Sequence, residues 1–154
     1  MGARTALLAF CLTLLACSAP SEGPQEAATR PTAATAPSGP PCTVTRVIDG
    51  DTVVMACRDL GSFRARLMGY DTPEISKPRC REELLLGLRA RERMRQMLAG
   101  ARVIEVSFHG TDRYGRMLTR LSLDGTDVAR RLISEGLAVQ YSGGRRINWC
   151  ARLT

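Results

Sequence analysis

Three short clusters of acidic and basic side chains could carry chemistry. In chain order they are Asp49-Gly50-Asp51-Thr52, Arg66 followed by Asp71-Thr72-Pro73-Glu74, and Asp112-Arg113-Tyr114-Gly115-Arg116. Carboxylates gathered on turns can hold a hard metal ion, and arginine forks suit phosphate oxygens in two-point contacts. Taken one at a time, each cluster is explained more simply by structure: an Asp-Gly turn, a solvated acidic loop and a hairpin turn with charged flanks.

The composition favours a single basic domain. The chain has 154 residues and a formal net charge of +7, and this length is enough for one domain and hardly for two. The arginines and glutamates of residues 1–41 cancel, so the whole positive excess lies in residues 42–154. Lys77 is the only lysine, so nearly all cations are arginines. This charge indicates a polyanionic partner or simply a solvated cationic face.

Residues 1–41 predict export rather than a folded element. Arg4 precedes an apolar run from Ala6 to Ala16 that is too short to span a bilayer comfortably. The run ends in Leu-Leu-Ala-Cys, which resembles a bacterial lipoprotein cleavage box with Cys17 as the lipidated residue; an ordinary cleaved signal peptide over residues 1–17 is the alternative. Residues 18–41 are rich in Ala, Pro, Ser and Thr and predict a flexible tether. The domain, residues 42–154, is then expected to be periplasmic, membrane-anchored or secreted.

Export makes disulfide bonds plausible for the four remaining cysteines, Cys42, Cys57, Cys80 and Cys150. Cys42 and Cys57 each lie seven residues from the Asp49-Gly50 pair. In an antiparallel hairpin that turns there they face each other, within disulfide range. This pairing leaves Cys80 for Cys150. A zinc site is disfavoured because the chain has no CxxC pair and only one histidine.

The hydrophobic patterns predict the elements that position the three clusters. We expect strands over residues 43–48, 52–56, 62–68, 103–108 and 116–123, and helices over residues 81–99 and 127–135. On the first helix Gly87, Ala90, Met94, Met97 and Leu98 share one face, and the two small residues allow a close approach to the sheet. Five short strands with these helices predict an α+β fold, a five-stranded OB-type barrel packed with two or three helices.

The three clusters taken together resemble the staphylococcal nuclease (thermonuclease) family. Residues 47–52 are similar to its first hairpin, and Arg66 with residues 71–74 is similar to its active-site strand and loop. Residues 112–116 are similar to its second arginine motif, with Arg113 where a lysine is common. The helix between them fits in the same register, and the resemblance spans about residues 43–141.

The resemblance implies a calcium site with a water-activating carboxylate beside it. Asp51 and Asp71 resemble the calcium-ligating carboxylates of the family, and the backbone carbonyl of Thr72 resembles a further ligand. Calcium takes such oxygen ligands and completes its shell with water, and two carboxylates are few for tight binding. Glu74 resembles the candidate general base, which either takes a proton from the attacking water or only positions it.

The resemblance also implies the groups that bind substrate. Arg66 and Arg116 resemble the two arginines that grip the phosphate and stabilise charge on its oxygens. Arg113 belongs to the same motif, and Tyr114 resembles a tyrosine that contacts a terminal phosphate, with packing at the barrel edge as its alternative role. Tyr141 corresponds to a base-stacking tyrosine only if the register slips by one residue.

These assignments imply an exported, calcium-dependent nuclease that hydrolyses DNA and RNA with little sequence preference and leaves 5′-hydroxyl and 3′-phosphate ends. One alternative is a catalytically inactive binding module of the same fold at the cell envelope. Such a module is expected to lack one of the matched carboxylates or arginines, and all of them are present. Another is a structural lipoprotein with a basic face, which does not require the three clusters together. A domain of this size is expected to be a monomer.

Overall fold

The computed structural model describes residues 41–153. The predicted signal peptide and nearly all of the predicted tether lie outside the described residues. The strands are β1 Cys42–Val47, β2 Thr52–Cys57, β3 Gly61–Leu67, β4 Gly69–Asp71, β5 Ile104–Thr111, β6 Met117–Leu123, β7 Thr126–Asp127 and β8 Val139–Tyr141. The helices are α1 Arg81–Gly100, α2 Val128–Ser134 and α3 Trp149–Leu153.

The five long strands form one mixed sheet in the order β1-β2-β3-β6-β5, with the short β7 beside β6. All neighbouring strands are antiparallel except β3 and β6, which run parallel. After β3 and β4 the chain passes through α1 to β5 at the far edge of the sheet, and β6 then returns between β5 and β3. The α+β class and the OB-type order of elements are confirmed. Within residues 41–153, β1 and β5 are not paired with each other, so the sheet stays open along these edges.

The first hairpin holds the first predicted disulfide. Cys42 faces Cys57 in the β1–β2 register, and their sulfurs are bonded across a separation of 15 residues. A disulfide that closes a loop of this length stabilises the folded state by about 3 kcal/mol, because it lowers the conformational entropy of the unfolded chain. The sequence-based register holds only at this end, because it shifts by one residue between Val44 and Arg46. The extra residue forms a β-bulge, which such patterns do not reveal.

The core lies between the inner face of the sheet and the helices. The predicted face of α1 is buried, with Ala90 and Met94 fully inaccessible to solvent. They pack in one cluster with inward side chains of β2 and β3, such as Met55 and Leu67, and with Leu132 of α2. No helix within residues 41–153 has both the length and the apolar character needed to cross a membrane.

The region after α2 contains elements that the hydrophobic pattern does not predict. Strand β8 pairs with β4 in a second, two-stranded sheet, so Tyr141 faces Gly69 at the start of β4. Helix α3 then carries Cys150, which is bonded to Cys80 across a separation of 70 residues. The bond confirms the second predicted pairing and adds about 4 kcal/mol by the same entropic argument. It fixes residues 142–153 beside the loop that precedes α1.

Candidate active site

The two predicted metal-ligating aspartates meet at the junction of two loops. Asp51 follows the β1–β2 turn, where the side chain of Asp49 accepts a hydrogen bond from the Asp51 amide at 3.2 Å. Asp71 ends β4, and both aspartates are buried. The backbone amide of Thr72 donates to Asp51 Oδ2 at 3.0 Å, and this bond joins the turn to the loop of residues 71–74.

Two glycines allow these loops to come so close. A Cβ atom on Gly50 would lie 2.7 Å from Cγ2 of Thr72 and 2.9 Å from Cβ of Ala90, closer than carbon atoms approach in proteins. A Cβ on Gly87 would lie 2.8 Å from the carbonyl oxygen of Pro73. The small residues Gly87 and Ala90 of α1 therefore also let the acidic loop and the β1–β2 turn approach this helix closely.

Arg66 forms ion pairs with both aspartates from the buried side of the site. Its Nη1 atom lies 2.9 Å from Asp51 Oδ2, and its Nη2 atom lies 3.4 Å from Asp71 Oδ1. The same two nitrogens donate to the backbone oxygens of Leu67 at 2.9 Å and Tyr70 at 3.0 Å. Because the Arg66 side chain is buried and engaged in this way, it holds a fixed positive charge beneath the two aspartates.

A second guanidinium, which no sequence motif identifies, caps the aspartates from the solvent side. Arg146 lies 2.5 Å from Asp71 Oδ1 through Nε and 3.8 Å from Asp51 Oδ2 through Nη2. Nη2 also donates to the backbone carbonyl oxygen of Thr72 at 2.9 Å, and Nη1 lies 3.6 Å from Glu74 Oε2. The Arg146 guanidinium therefore contacts all four predicted groups, namely the three metal ligands and the candidate general base.

Trp149 is a second residue that contacts the acid cluster and that the sequence motifs do not reveal. Its indole Nε1 donates to Asp71 Oδ2 at 3.1 Å, and the side chain is buried. Asp71 thus meets Arg66 and Arg146 through Oδ1 and Trp149 through Oδ2. The signal that could have found both residues was the predicted pairing of Cys80 with Cys150, because that bond brings its chain neighbours to this loop.

The loop that carries Glu74 is braced by α1. The carboxylate of Glu83 accepts hydrogen bonds from the amide of Glu74 at 3.4 Å and from the amide of Arg79 at 2.6 Å. Oε1 of Glu74 accepts from the amides of Ile75 and Ser76, at 3.1 and 3.2 Å, and from the Ser76 hydroxyl at 2.9 Å. With Oε1 occupied in this way, Oε2 is the oxygen that faces the acid cluster.

Burial and neighbouring charges shift the pKa values of these groups. Burial raises the pKa of Asp71, an effect only partly offset by the nearby Arg146 guanidinium. Burial, followed by the charge of Asp51, raises the pKa of Asp49 to about 7. Burial lowers the pKa of Arg146, but the charges of Asp71 and Asp51 outweigh it and raise that pKa above its ordinary value. A cation held beside the buried acids therefore stabilises their ionised forms.

Arg116 lies on the hairpin between β5 and β6 and is oriented by Asp112. Its Nε and Nη2 atoms lie 2.8 and 2.7 Å from Asp112 Oδ2. Partial burial opposes the ionisation of Asp112, but backbone and side-chain hydrogen bonds from Arg116 outweigh it and lower the pKa. Tyr114 is 68% exposed, with the guanidinium carbons of Arg113 and Arg116 at 4.8 and 5.6 Å from its ring centre. Arg113 also donates to the Tyr114 hydroxyl at 2.7 Å.

An open cleft extends from this hairpin to Arg66 and Arg146, the two arginines that contact the acid cluster. Its volume is about 860 Å³. Five arginines line it: Arg64, Arg66, Arg113, Arg116 and Arg146. Tyr141 lines the same cleft, with the guanidinium carbon of Arg66 6.0 Å from its ring centre. The structure thus brings every predicted substrate-binding side chain to one cavity, whose walls suit an extended polyanion.

The donor set at the acid cluster fits a hard divalent cation. The donors are carboxylate and carbonyl oxygens, the ligands that calcium and magnesium take in proteins. They already converge on a cation, because the Arg146 guanidinium contacts Asp51, Asp71, Thr72 and Glu74. By contrast, Cys80, Glu83 and Cys150 also gather nearby, but the disulfide bond removes both thiols as metal ligands.

Replacing Trp149 by Phe should destabilise the protein by about 1–3 kcal/mol, because it removes the donor to a buried carboxylate oxygen and part of a buried ring. The free energy of unfolding in urea, followed by far-ultraviolet circular dichroism, measures this loss. Leu153→Ala on the same short helix is a suitable control, because that side chain is exposed. Equal stability of W149F and the wild type would mean that the indole hydrogen bond to Asp71 makes no net contribution to stability.

The fold and the site define an OB-type domain with a cluster of carboxylate and carbonyl oxygens beside an arginine-lined cleft. The family described as staphylococcal nuclease homologue matches residues 64–148, more than half of the chain. The chain therefore belongs to this family.

Individual relatives agree with this assignment. The chain is 38% identical over 96 residues to a thermonuclease of Staphylococcus intermedius, a match that covers 62% of the chain and 56% of that protein. It is 34% identical over 100 residues to an uncharacterized endonuclease of Escherichia coli O157:H7, covering 64% of the chain and 59% of that protein. It is 31% identical over 80 residues to a probable staphylococcal-like nuclease of Oryza sativa subsp. japonica, covering 52% and 22%. The chain thus spans a little over half the length of the two bacterial relatives.

Proposed function

We propose that this protein is a metal-dependent nuclease that hydrolyses phosphodiester bonds of DNA and RNA. One observation carries the proposal: Asp51, Asp71, Thr72 and Glu74 converge on a single cation at the edge of a cleft lined by five arginines. Family membership and relatives that are named as nucleases support it. A purely structural role would require neither the convergence of acids nor the cationic cleft.

We assign the divalent cation to Asp51, Asp71 and the carbonyl oxygen of Thr72, and calcium is the ion we expect. Calcium suits this set because it accepts mixed carboxylate and carbonyl oxygens without a strict geometry. When bound, such an ion supplies Lewis-acid polarisation of a phosphoryl oxygen. The protein's own contribution is to hold both carboxylates rigidly, through Arg66 below them and Trp149 behind Asp71.

Glu74 is the group we assign to the attacking water. Three donors hold its Oε1 atom, so Oε2 accepts the proton as the water oxygen bonds to phosphorus. The bond between phosphorus and O5′ breaks, its electron pair leaves with O5′, and a solvent proton completes the 5′-hydroxyl. The phosphate remains on the 3′ side, as the resemblance to the family implies.

The arginines stabilise the charge that this step concentrates on the phosphoryl oxygens. Arg116 is prepared for this role because Asp112 holds its guanidinium in a fixed orientation at the cleft. We assign three further side chains to the neighbouring nucleotides. Arg113 and Tyr114 are assigned to phosphate, and Tyr141 is assigned to stacking on a base. Contacts of this kind address the backbone and any base face, so we expect little sequence preference.

We further propose that the protein acts in an oxidising compartment outside the cytoplasm. Two disulfides support this, because such bonds persist mainly in exported proteins. Cys17 as a lipid anchor and the signal peptide before it remain part of this proposal. Labelling of cells with a radioactive fatty acid, followed by capture of the protein, distinguishes a lipidated Cys17 from an ordinary signal peptide whose cleavage leaves no lipid.

The reaction is tested by incubating the oxidised protein and calcium with end-labelled single-stranded DNA and RNA of mixed sequence. We expect both to be cut at many positions and the fragments to carry 5′-hydroxyl and 3′-phosphate ends, read by phosphatase and kinase treatment. Fragments with 5′-phosphate ends would contradict the assigned bond cleavage. Binding of both oligonucleotides without cleavage would favour the inactive binding module.

A further inference from the structure

The position of Arg146 has consequences beyond capping the aspartates. Its guanidinium contacts Asp51, Asp71, Glu74 and the carbonyl oxygen of Thr72 at 2.5–3.8 Å. These are the same oxygens assigned to the divalent cation and to the attacking water. A guanidinium and a metal ion cannot both occupy the space among them, because each needs the same lone pairs and both are positive.

Arg146 is anchored in this place by the surrounding chain. Before it, the Tyr141 hydroxyl donates to the carbonyl oxygen of Gly144 at 2.7 Å, and Gly143 and Gly144 adopt left-handed backbone angles with φ of 111° and 86°. After it, Trp149 is bound to Asp71 and Cys150 is bonded to Cys80. The backbone is thus fixed on both sides, while the Arg146 side chain itself is 44% exposed.

The charges of the site favour an internal cation in the absence of metal. Three carboxylates, Asp51, Asp71 and Glu74, face two guanidiniums, Arg66 and Arg146. Without Arg146 two negative charges would remain uncompensated at a largely buried point, which is unfavourable in a medium of low dielectric constant. With it only one remains. Arg66 is held by backbone carbonyls and stays in either state.

We propose that Arg146 is an intrinsic competitor of the divalent cation, which must displace this guanidinium from the acid cluster before it can bind. The inference rests on the proposed cation site. The cleft offers the displaced side chain a place, because Arg146 already lines it together with Arg66 and Arg116. Arg146 therefore sets the metal concentration at which the protein becomes active, since only the fraction of molecules with an open cluster binds the ion.

The competition is tested by measuring calcium binding to the oxidised protein without nucleic acid. Trp149, the only tryptophan, lies 3.1 Å from Asp71 and reports the binding through its fluorescence; calorimetry gives the affinity independently. We expect Arg146→Gln to bind calcium on the order of tenfold to a hundredfold more tightly than the wild type, because the opposing charge is gone. Arg145→Gln removes the same charge at an exposed neighbouring position and should change the affinity little.

Two further measurements keep the test decisive if R146Q folds poorly without metal. Calcium should then raise the melting temperature of R146Q more than that of the wild type, because the ion replaces the missing charge. Arg146→Lys keeps the charge but not the fork that spans four acceptors, so its calcium affinity should fall between the two. Equal affinities of the wild type, R146Q and R146K would overturn the competition while leaving the cation site intact. Absence of calcium binding in all of them would overturn the cation site itself.

Discussion

Glu74→Gln is expected to lower turnover by about 100- to 10,000-fold, the usual contribution of a general base. The amide keeps the size of the side chain and can still accept from Ile75 and Ser76 through its oxygen. It cannot take a proton from water. We therefore expect a folded protein with nearly unchanged affinity for a single-stranded oligonucleotide, measured by fluorescence anisotropy, and a loss confined to the rate of cleavage under single-turnover conditions.

The matched control for this substitution is Glu105→Gln. Glu105 lies exposed on β5, outside the cleft, and loses the same charge. Its turnover should remain close to that of the wild type. A mild and equal loss in both variants would mean that only net charge matters, and Glu74 would then be removed from the mechanism.

Arg116→Gln is expected to cost about 100- to 1,000-fold in cleavage rate, the typical effect of a lost donor to a developing oxyanion. Asp112 would lose its ion-pair partner at 2.7 Å but keeps the backbone amides of Tyr114 and Arg116, at 2.9 and 3.0 Å. The hairpin should therefore keep its shape. Single-turnover rates at saturating substrate separate this loss from weaker binding.

Arg89→Gln serves as the control for Arg116, because it removes an exposed arginine from α1 outside the cleft. It should leave the rate at saturating substrate unchanged and weaken binding at most slightly through net charge. If Arg116→Gln affected only the substrate concentration at half-maximal rate, Arg116 would be a binding group with no share in stabilising the transition state.

The acid cluster could be predicted because the family resemblance rests on short motifs that contain all of its acids. A turn sequence fixes Asp51, and the strand–loop boundary fixes Asp71 and Glu74, so short motifs carry the geometry. The first disulfide was predictable for the same reason, since hairpin pairing follows from the turn. The bulge between Val44 and Arg46 escaped because it leaves no mark on the alternation of side chains.

The capping of the cluster could not be predicted in this way. Arg146 and Trp149 reach Thr72 and Asp71 across more than 70 residues of chain, and their contacts depend on where the second disulfide places them. A pair of arginines after two glycines and a lone tryptophan fit many surface segments equally well. Periodicity also gave no sign of β4 and β8, because strands of three residues are too short to show one.

Asp112 illustrates a third kind of gap. Its neighbours in the sequence predict a turn with charged flanks, and the structure does place it there. Its side chain additionally fixes the Arg116 guanidinium through Nε and Nη2. The turn motif thus has a second role, orienting a proposed substrate-binding group, which becomes visible only when the direction of the side chains is known.

The most direct test of a metal-dependent nuclease is cleavage of single-stranded DNA by the oxidised protein as free calcium is varied with a chelating buffer. We expect no cleavage in excess chelator, and full recovery when calcium is restored. The loss should be reversible, because the two disulfides keep the fold while the ion is absent. Undiminished cleavage in excess chelator would contradict the proposed role of Asp51 and Asp71 as ligands of a catalytic cation.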